Sequence, residues 1–210
     1  MEDIGGGLAL PALGQVSEMR RVRFKTSAGD FHVSLDRALS PRGVDRFLEL
    51  VEDGFFEDML LYRVLPGFLV QFGVAADPAM SAKWNNERLK DEQNRGAFRA
   101  GTVSYAGSGA HSRSCHFFVA LEPQGAKLGK AMHEAAIGYV DEVEVFEQVV
   151  RNFQAAGYPD TGLYSALLRE GNSAAAERFP KLDRIHSAEM LPPEQTVVAI
   201  PPVTGKGQLM

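Results

Sequence analysis

Apolar and polar residues alternate along Arg21–Ser27 and again along Asp30–Asp36, with Ala28-Gly29 between the two runs. Successive strand side chains point to opposite faces, so this pattern predicts a hairpin with one buried face. The period then changes. Val44, Phe47, Leu48 and Val51 fall at i, i+3, i+4 and i+7, which predicts an amphipathic helix. Ser40 is its expected N-cap, Pro41 suits its first position, and Gly54 can end it. Strand-like runs return at Leu60–Leu65, Gly67–Gly73, Gly101–Ala106, His116–Leu121 and Ala136–Val140. Between the second and third of these, Ala75–Ala100 reads as a long polar excursion holding the only tryptophan, Trp84. A loop of that length is usually functional or packed by its own side chains. A second helix is expected with Asp141 as cap and Glu144 at N3, its stripe made by Val145, Phe146, Val149, Val150 and Phe153. Residues 157–183 read as irregular with a short helix near Ala174–Phe179, and Arg184–Met190 reads as a closing strand. Many short strands and two core helices, without βαβ alternation, predict a mainly β protein: an antiparallel barrel or sandwich closed by helices.

At 210 residues the chain is long enough for one well-buried domain. The expected division is a flexible arm over residues 1–18, the folded domain over 19–190, and an extended Pro-containing tail over 191–210. A net charge of −5 provides no field for a phosphate backbone, so nucleic acid is not an expected partner. The basic residues of Met19–Lys25 alternate with apolar ones and read as the wet face of a strand. Cys115 is the single cysteine, so no internal disulfide forms. No apolar run approaches the ~20 residues of a membrane span, and the N-terminus lacks the pattern of a signal peptide. A soluble protein of the cytoplasm or an organelle lumen is expected, the compartment left open.

The run Leu61–Gly73, "LYRVLPGFLVQFG", poses the chemical question. An arginine and a glutamine inside so apolar a run are costly unless they sit at a wet rim or face a pocket that uses them. His111 and His116 lack a convincing set of metal partners, and no metal or other cofactor is expected. A catalytic Cys115–His116 pair is disfavoured, because adjacent strand residues point to opposite faces.

"GFFEDMLLYRVLPGFLVQFG", followed by "AGTVSYAGSG" and "CHFFVAL", resembles the cyclophilins, the peptidyl-prolyl cis-trans isomerases. Their pattern runs Gly-Phe-Tyr, Phe-His-Arg-Val-Ile-Pro-Gly-Phe-Met-x-Gln-Gly-Gly, Ser-Met-Ala and Gln-Phe-Phe-Ile. The resemblance extends from about Arg21 to Met190. "VQFGVAADPAMSAKW" and "REGNSAAAERFPKLDRIHSA" are similar to a divergent branch found in algae, protists and plants. The resemblance implies a closed antiparallel eight-stranded barrel capped by two α-helices. It places Arg63 on the catalytic arginine. Phe68, Leu69 and Gln71 fall on pocket positions, and Ala106, Gly107 and Ser108 on a segment whose backbone holds the substrate. His116 takes the place of a pocket glutamine, Phe118 that of a phenylalanine in the pocket floor, and Leu128 that of a pocket leucine. Strand parity independently puts Leu69 with Gln71, and His116 with Phe118, on shared faces. It does not place Phe68, which rests on the resemblance.

Four departures stand out. Tyr62 replaces a histidine, Gly107 an asparagine, and His116 a glutamine, whose protonation would set a second positive charge beside Arg63. No aromatic residue occupies the pocket edge before Ile137. The implied activity is isomerisation of X–Pro bonds in peptides or folding proteins. The alternative is a non-catalytic or weakly active binding subunit of a larger assembly, with Arg63 a rim residue paired to Asp58 or Glu57 and Gln71 a satisfied strand residue.

Overall fold

The computed structural model describes residues 19–95, 98–122, 128–158 and 163–192. The expected arm over 1–18 and nearly all of the tail over 191–210 lie outside the described residues. The first hairpin forms as its alternation predicts: β1 (Met19–Thr26) pairs antiparallel with β2 (Phe31–Asp36), from Met19↔Asp36 to Phe24↔Phe31. Val22, Phe24, Phe31, Val33 and Leu35 are its buried side. The helix α1 (Pro41–Glu52) follows and buries Val44, Phe47, Leu50 and Val51 against the sheet.

Ser40 takes the N-cap position of α1, yet its hydroxyl does not cap the helix. It donates instead to Glu92 Oε2 at 2.5 Å, and the Glu92 carboxylate accepts from the Arg42 and Gly43 amides at 2.9 and 3.2 Å. A carboxylate from a distant loop thus satisfies the first orphan N–H groups of the helix, where the helix dipole also favours negative charge.

The apolar run Leu60–Leu65 breaks into β3 (Met59–Leu60) and β4 (Arg63–Leu65). Five more strands follow: β5 (Leu69–Phe72), β6 (Thr102–Tyr105), β7 (Phe117–Ala120), β8 (Ala136–Val140) and β9 (Arg184–Met190). They form one antiparallel sheet in the order β3-β9-β1-β2-β8-β6-β7-β5-β4. Its two end strands, β3 and β4, are joined by only Leu61 and Tyr62. Such a link reaches no further than about 10 Å, so the sheet has to curl until its edges approach. Among the described residues no ladder joins β3 to β4. The architecture is therefore a nine-stranded curled sheet left open at one seam, where an eight-stranded closed barrel was expected.

Five helices are described where two core helices and a short one near Ala174–Phe179 were expected. Beside α1 these are α2 (Pro78–Asn86), α3 (Glu144–Ala156), α4 (Leu163–Glu170) and α5 (Asn172–Arg178). Asp77 caps α2, accepting from the Ala79 amide at 2.8 Å, with Pro78 in the first turn. Those are ordinary helix-start signals, but α2 buries only Ser81 and so carries no apolar stripe to announce it. Asp141 does not cap α3, whose N-cap position is Val143. Its carboxylate is taken by Arg21 at 2.7 Å and the Ser34 hydroxyl at 3.0 Å, which ties β8 to the β1–β2 hairpin. Phe146, Val149 and Phe153 of α3 are buried, as its stripe predicts. None of the described helices is long and apolar enough to cross a membrane.

Candidate active site

Arg63 on β4 is directly opposite Gln71 on β5, and Gln71 is opposite Phe118 on β7. Alternation sends Val64, Val70 and Val119 into the main core and leaves Arg63, Gln71 and Phe118 in a row on the other face. Arg63 Nη1 donates to Gln71 Oε1 at 3.0 Å. Asp58, an expected partner of Arg63, is engaged by Arg184 at 2.5 Å. Beside the row, Leu69, Phe118, Ala120 and Leu128 form a second apolar cluster, with Leu65, Phe68, Phe98 and Ala106 packed against it. Phe118 therefore belongs to a surface cup and not to the main core. Phe68 reaches the same cup after the turn at Gly67, whose φ of +68° suits glycine; its amide donates to Leu65 O at 3.0 Å.

The segment after β6 closes one side. Ala106 N donates to His116 O at 2.9 Å, and Ser108 N to Ser112 Oγ at 2.8 Å. A Cβ at Gly107 would lie 2.5 Å from Ser112 Oγ and 3.0 Å from the His133 ring. The hydroxyl that organises this loop thus occupies the room an asparagine side chain would need.

His116 is only 8% exposed. Its Nε2 lies 3.0 Å from Asn85 Oδ1 and 3.2 Å from the Tyr164 hydroxyl. Burial pushes its pKa down to about 4, so the imidazole is neutral at physiological pH and adds no charge beside Arg63. The shift also fixes a pH dependence. Between the unfolded value of 6.5 and the folded value of about 4, the unfolded chain holds a proton that the native one lacks. Stability due to this site is complete above pH 6.5 and falls by about 3 kcal/mol as pH drops towards 4. Urea unfolding across that range should show the loss, and His116→Gln should flatten it.

Gly73 backs the same histidine. Its φ is +117°, and a Cβ there would stand 2.3 Å from Cys115 O and 2.6 Å from His116 Cα. Gly73→Ala meets both backbone strain and a backbone clash, and is expected to cost roughly 3 kcal/mol or more. A fall in the urea midpoint with an unchanged slope would register it. Cys115 Sγ lies 4.0 Å from His116 Nε2, because both residues precede β7 and strand alternation does not separate them. Burial pushes the thiol up to about 12, so no thiolate is available at neutral pH.

Arg63, Phe68, Leu69, Gln71, Ala106, Gly107, Ser108, His116, Phe118 and Leu128 all line one cleft of about 850 Å³. The sequence reading missed several neighbours on its wall: Asn85, Arg88, Ser112, Ser114, His133, Glu134 and Tyr164. Asn85 and Arg88 lie in the polar excursion whose length reads as functional or as packed by its own side chains. Tyr164 comes from α4, in a stretch without a readable pattern. Among the described residues there is no group of three or more His, Cys, Asp or Glu side chains placed to hold a metal.

An arginine aligned with a glutamine over an apolar cup, on the outer face of a curled antiparallel sheet, defines the cyclophilin class. The family model for cyclophilin type peptidyl-prolyl cis-trans isomerases matches residues 21–160, and the chain belongs to that family. A peptidyl-prolyl cis-trans isomerase-like 1 of Aspergillus niger is 33% identical over 115 residues, which cover 52% of this chain and 69% of the relative. Peptidyl-prolyl cis-trans isomerase B of Escherichia coli is 33% identical over 100 residues, covering 47% and 60%. A cyclophilin type isomerase of Cryptosporidium parvum superposes with a TM-score of 0.60 at 17% identity, covering 83% of this chain and 98% of the other. At that identity the likeness speaks for the fold.

Proposed function

We propose that the cleft isomerises X–Pro bonds of peptides or folding proteins, with Arg63 as the catalytic residue and residues 19–190 as the working domain. The observation that carries this reading is the cross-strand row Arg63–Gln71–Phe118 beside the cup of Phe68, Leu69 and Leu128. Rotation about X–Pro must break amide resonance against a barrier of ~18–20 kcal/mol. No bond to the enzyme is needed; the cleft has only to bind the twisted amide better than either planar form. As the amide twists, the proline nitrogen regains a lone pair. The Arg63 guanidinium, oriented by Gln71, donates to that region beside the apolar cup. The cup holds the pyrrolidine ring, while the Gln71 side-chain amide and the Gly107 N–H hold the flanking carbonyl, the Ala106 and Ser108 amides being spent on His116 O and Ser112 Oγ. A Cryptosporidium parvum relative of the same fold has been crystallised in the presence of the dipeptide Ala-Pro, which fits a proline-directed cleft.

NMR exchange spectroscopy on a short X–Pro peptide tests the proposal. Cis/trans exchange that rises in proportion to added protein supports it. Exchange held at the uncatalysed rate sinks it and leaves a cleft that binds without turning over.

A further inference from the structure

The family-matched segment ends at residue 160, yet Tyr164 stands on the wall of the cleft. Its helix, α4, is firmly seated. Leu163 and Leu167 are buried, and α4 packs against α2. Gly171, with φ +64°, caps its end; a Cβ there would be 2.5 Å from Ala76 O, so the chain passes tight against the start of α2. Asn172 of α5 bonds to the Asp58 carbonyl from the other side. These anchors hold the Tyr164 ring 5.2 Å from His116, nearly edge-on, and 5.9 Å from Tyr62. Even so, Tyr164 stays 36% exposed, one of the few large apolar side chains that does.

The ring contacts of Tyr164 are with His116 and Tyr62, whereas the proline cup is built from Leu69, Phe118, Leu128 and their neighbours. It walls the His116 end. His116 and Phe118 are two residues apart, about 7 Å along an extended chain. A peptide crossing the cleft face of the sheet in the direction of β7, which is itself paired on both edges by β5 and β6, places every second side chain at the same interval. With its proline over Phe118, the side chain two residues away arrives beside His116 and the open face of Tyr164.

We propose that Tyr164 is a specificity-determining residue of this site, selecting substrates that carry an aromatic or large aliphatic side chain two residues from the proline. This rests on the cleft being the proline-peptide site proposed above. A flat ring fixed at both neighbours gives such a side chain a partner at little entropic cost, whereas glycine at that position gains nothing.

The test uses the full chain and peptides with glycine, leucine or phenylalanine two residues before the proline, and a second set varied two residues after it. Dissociation constants are read by NMR titration and turnover by exchange spectroscopy. In one of the two sets, wild type should bind the phenylalanine peptide about tenfold tighter than the glycine peptide. Tyr164→Ala should bring that ratio to within twofold, and Tyr164→Phe should keep the wild-type ratio. Tyr164→Ala weakening every peptide equally would make the ring a structural prop and overturn the proposal, as would an unchanged ratio. Peptides bound with the expected ratios but not turned over would refute the isomerase and leave the role of Tyr164 standing. Binding of none of them would refute both.

Discussion

Arg63→Ala is expected to lower kcat/KM for X–Pro isomerisation by about a hundred- to a thousandfold, the usual loss when one preorganised donor to a transition state is removed. The loss should fall on kcat, because the nitrogen of a planar proline amide offers Arg63 no lone pair and only that of the twisted amide does. Peptide affinity, set by the apolar cup and the backbone of the Ala106–Ser108 segment, should change little. The fold should survive as well. Arg63 is only partly buried, and its bond to Gln71 bridges two neighbouring residues of the β4–β5 ladder, so truncation strands no buried charge. Arg63→Lys keeps the charge but loses the planar fork that can hold Gln71 and the substrate together, and should recover only a minor part of the rate. Exchange spectroscopy for rate, titration for affinity and thermal unfolding for stability separate these effects. Residual activity within tenfold of wild type in Arg63→Ala would remove Arg63 from the mechanism.

The parts of this site that the sequence made legible are those governed by local rules. Alternation sorted Leu69 and Gln71 from Val70, and it sorted Phe118 from Val119, because strand parity is a property of the backbone. The first hairpin and α1 were readable for the same reason: each buries one face of a regular element. Phe68 was placed by its resemblance, since the Gly67 turn breaks the strand rhythm.

What stayed hidden depends on contacts distant in sequence. Asp141 beside Glu144 reads as a capping box, but Arg21 and Ser34 compete for its carboxylate, and that competition exists only once the sheet is formed. Ser40 reads as a cap, but Glu92 caps the helix in its place. Tyr164 has no local signal at all, because its helix owes its position to α2 and to the turn at Gly171. The seam between β3 and β4 likewise follows from the curl of the whole sheet and not from either strand.

The largest effect on stability is expected at Arg113, which is fully buried between two residues of the cleft wall, Ser112 and Ser114. Its guanidinium donates to Ser40 Oγ at 3.1 Å, to Lys90 O at 2.5 Å and to Glu92 Oε2 at 3.1 Å, and it lies 3.8 Å from Asp91. Its carbonyl accepts from Leu89 N at 2.8 Å. One side chain thus joins the start of α1, the loop over Leu89–Glu92 and the wall of the cleft. Burial alone would raise Glu92, but bonds from Ser40, the Arg42 amide and Arg113 outweigh it and hold the carboxyl below its ordinary value. Arg113→Ala leaves Asp91 and Glu92 without their buried cation and opens a cavity beside Tyr105, at an expected cost of about 3–5 kcal/mol. Arg113→Met with Glu92→Gln removes one charge of each sign while filling much of the space, and should recover a substantial part of that loss. Because the folded Glu92 pKa is depressed, the wild-type contribution is present above the ordinary glutamate range and is lost as pH falls below it. Unfolding of the three proteins at neutral and acid pH reads both effects. A double variant as unstable as Arg113→Ala would mean that the geometry of the guanidinium, and not the balance of charge, holds the cleft wall to the sheet.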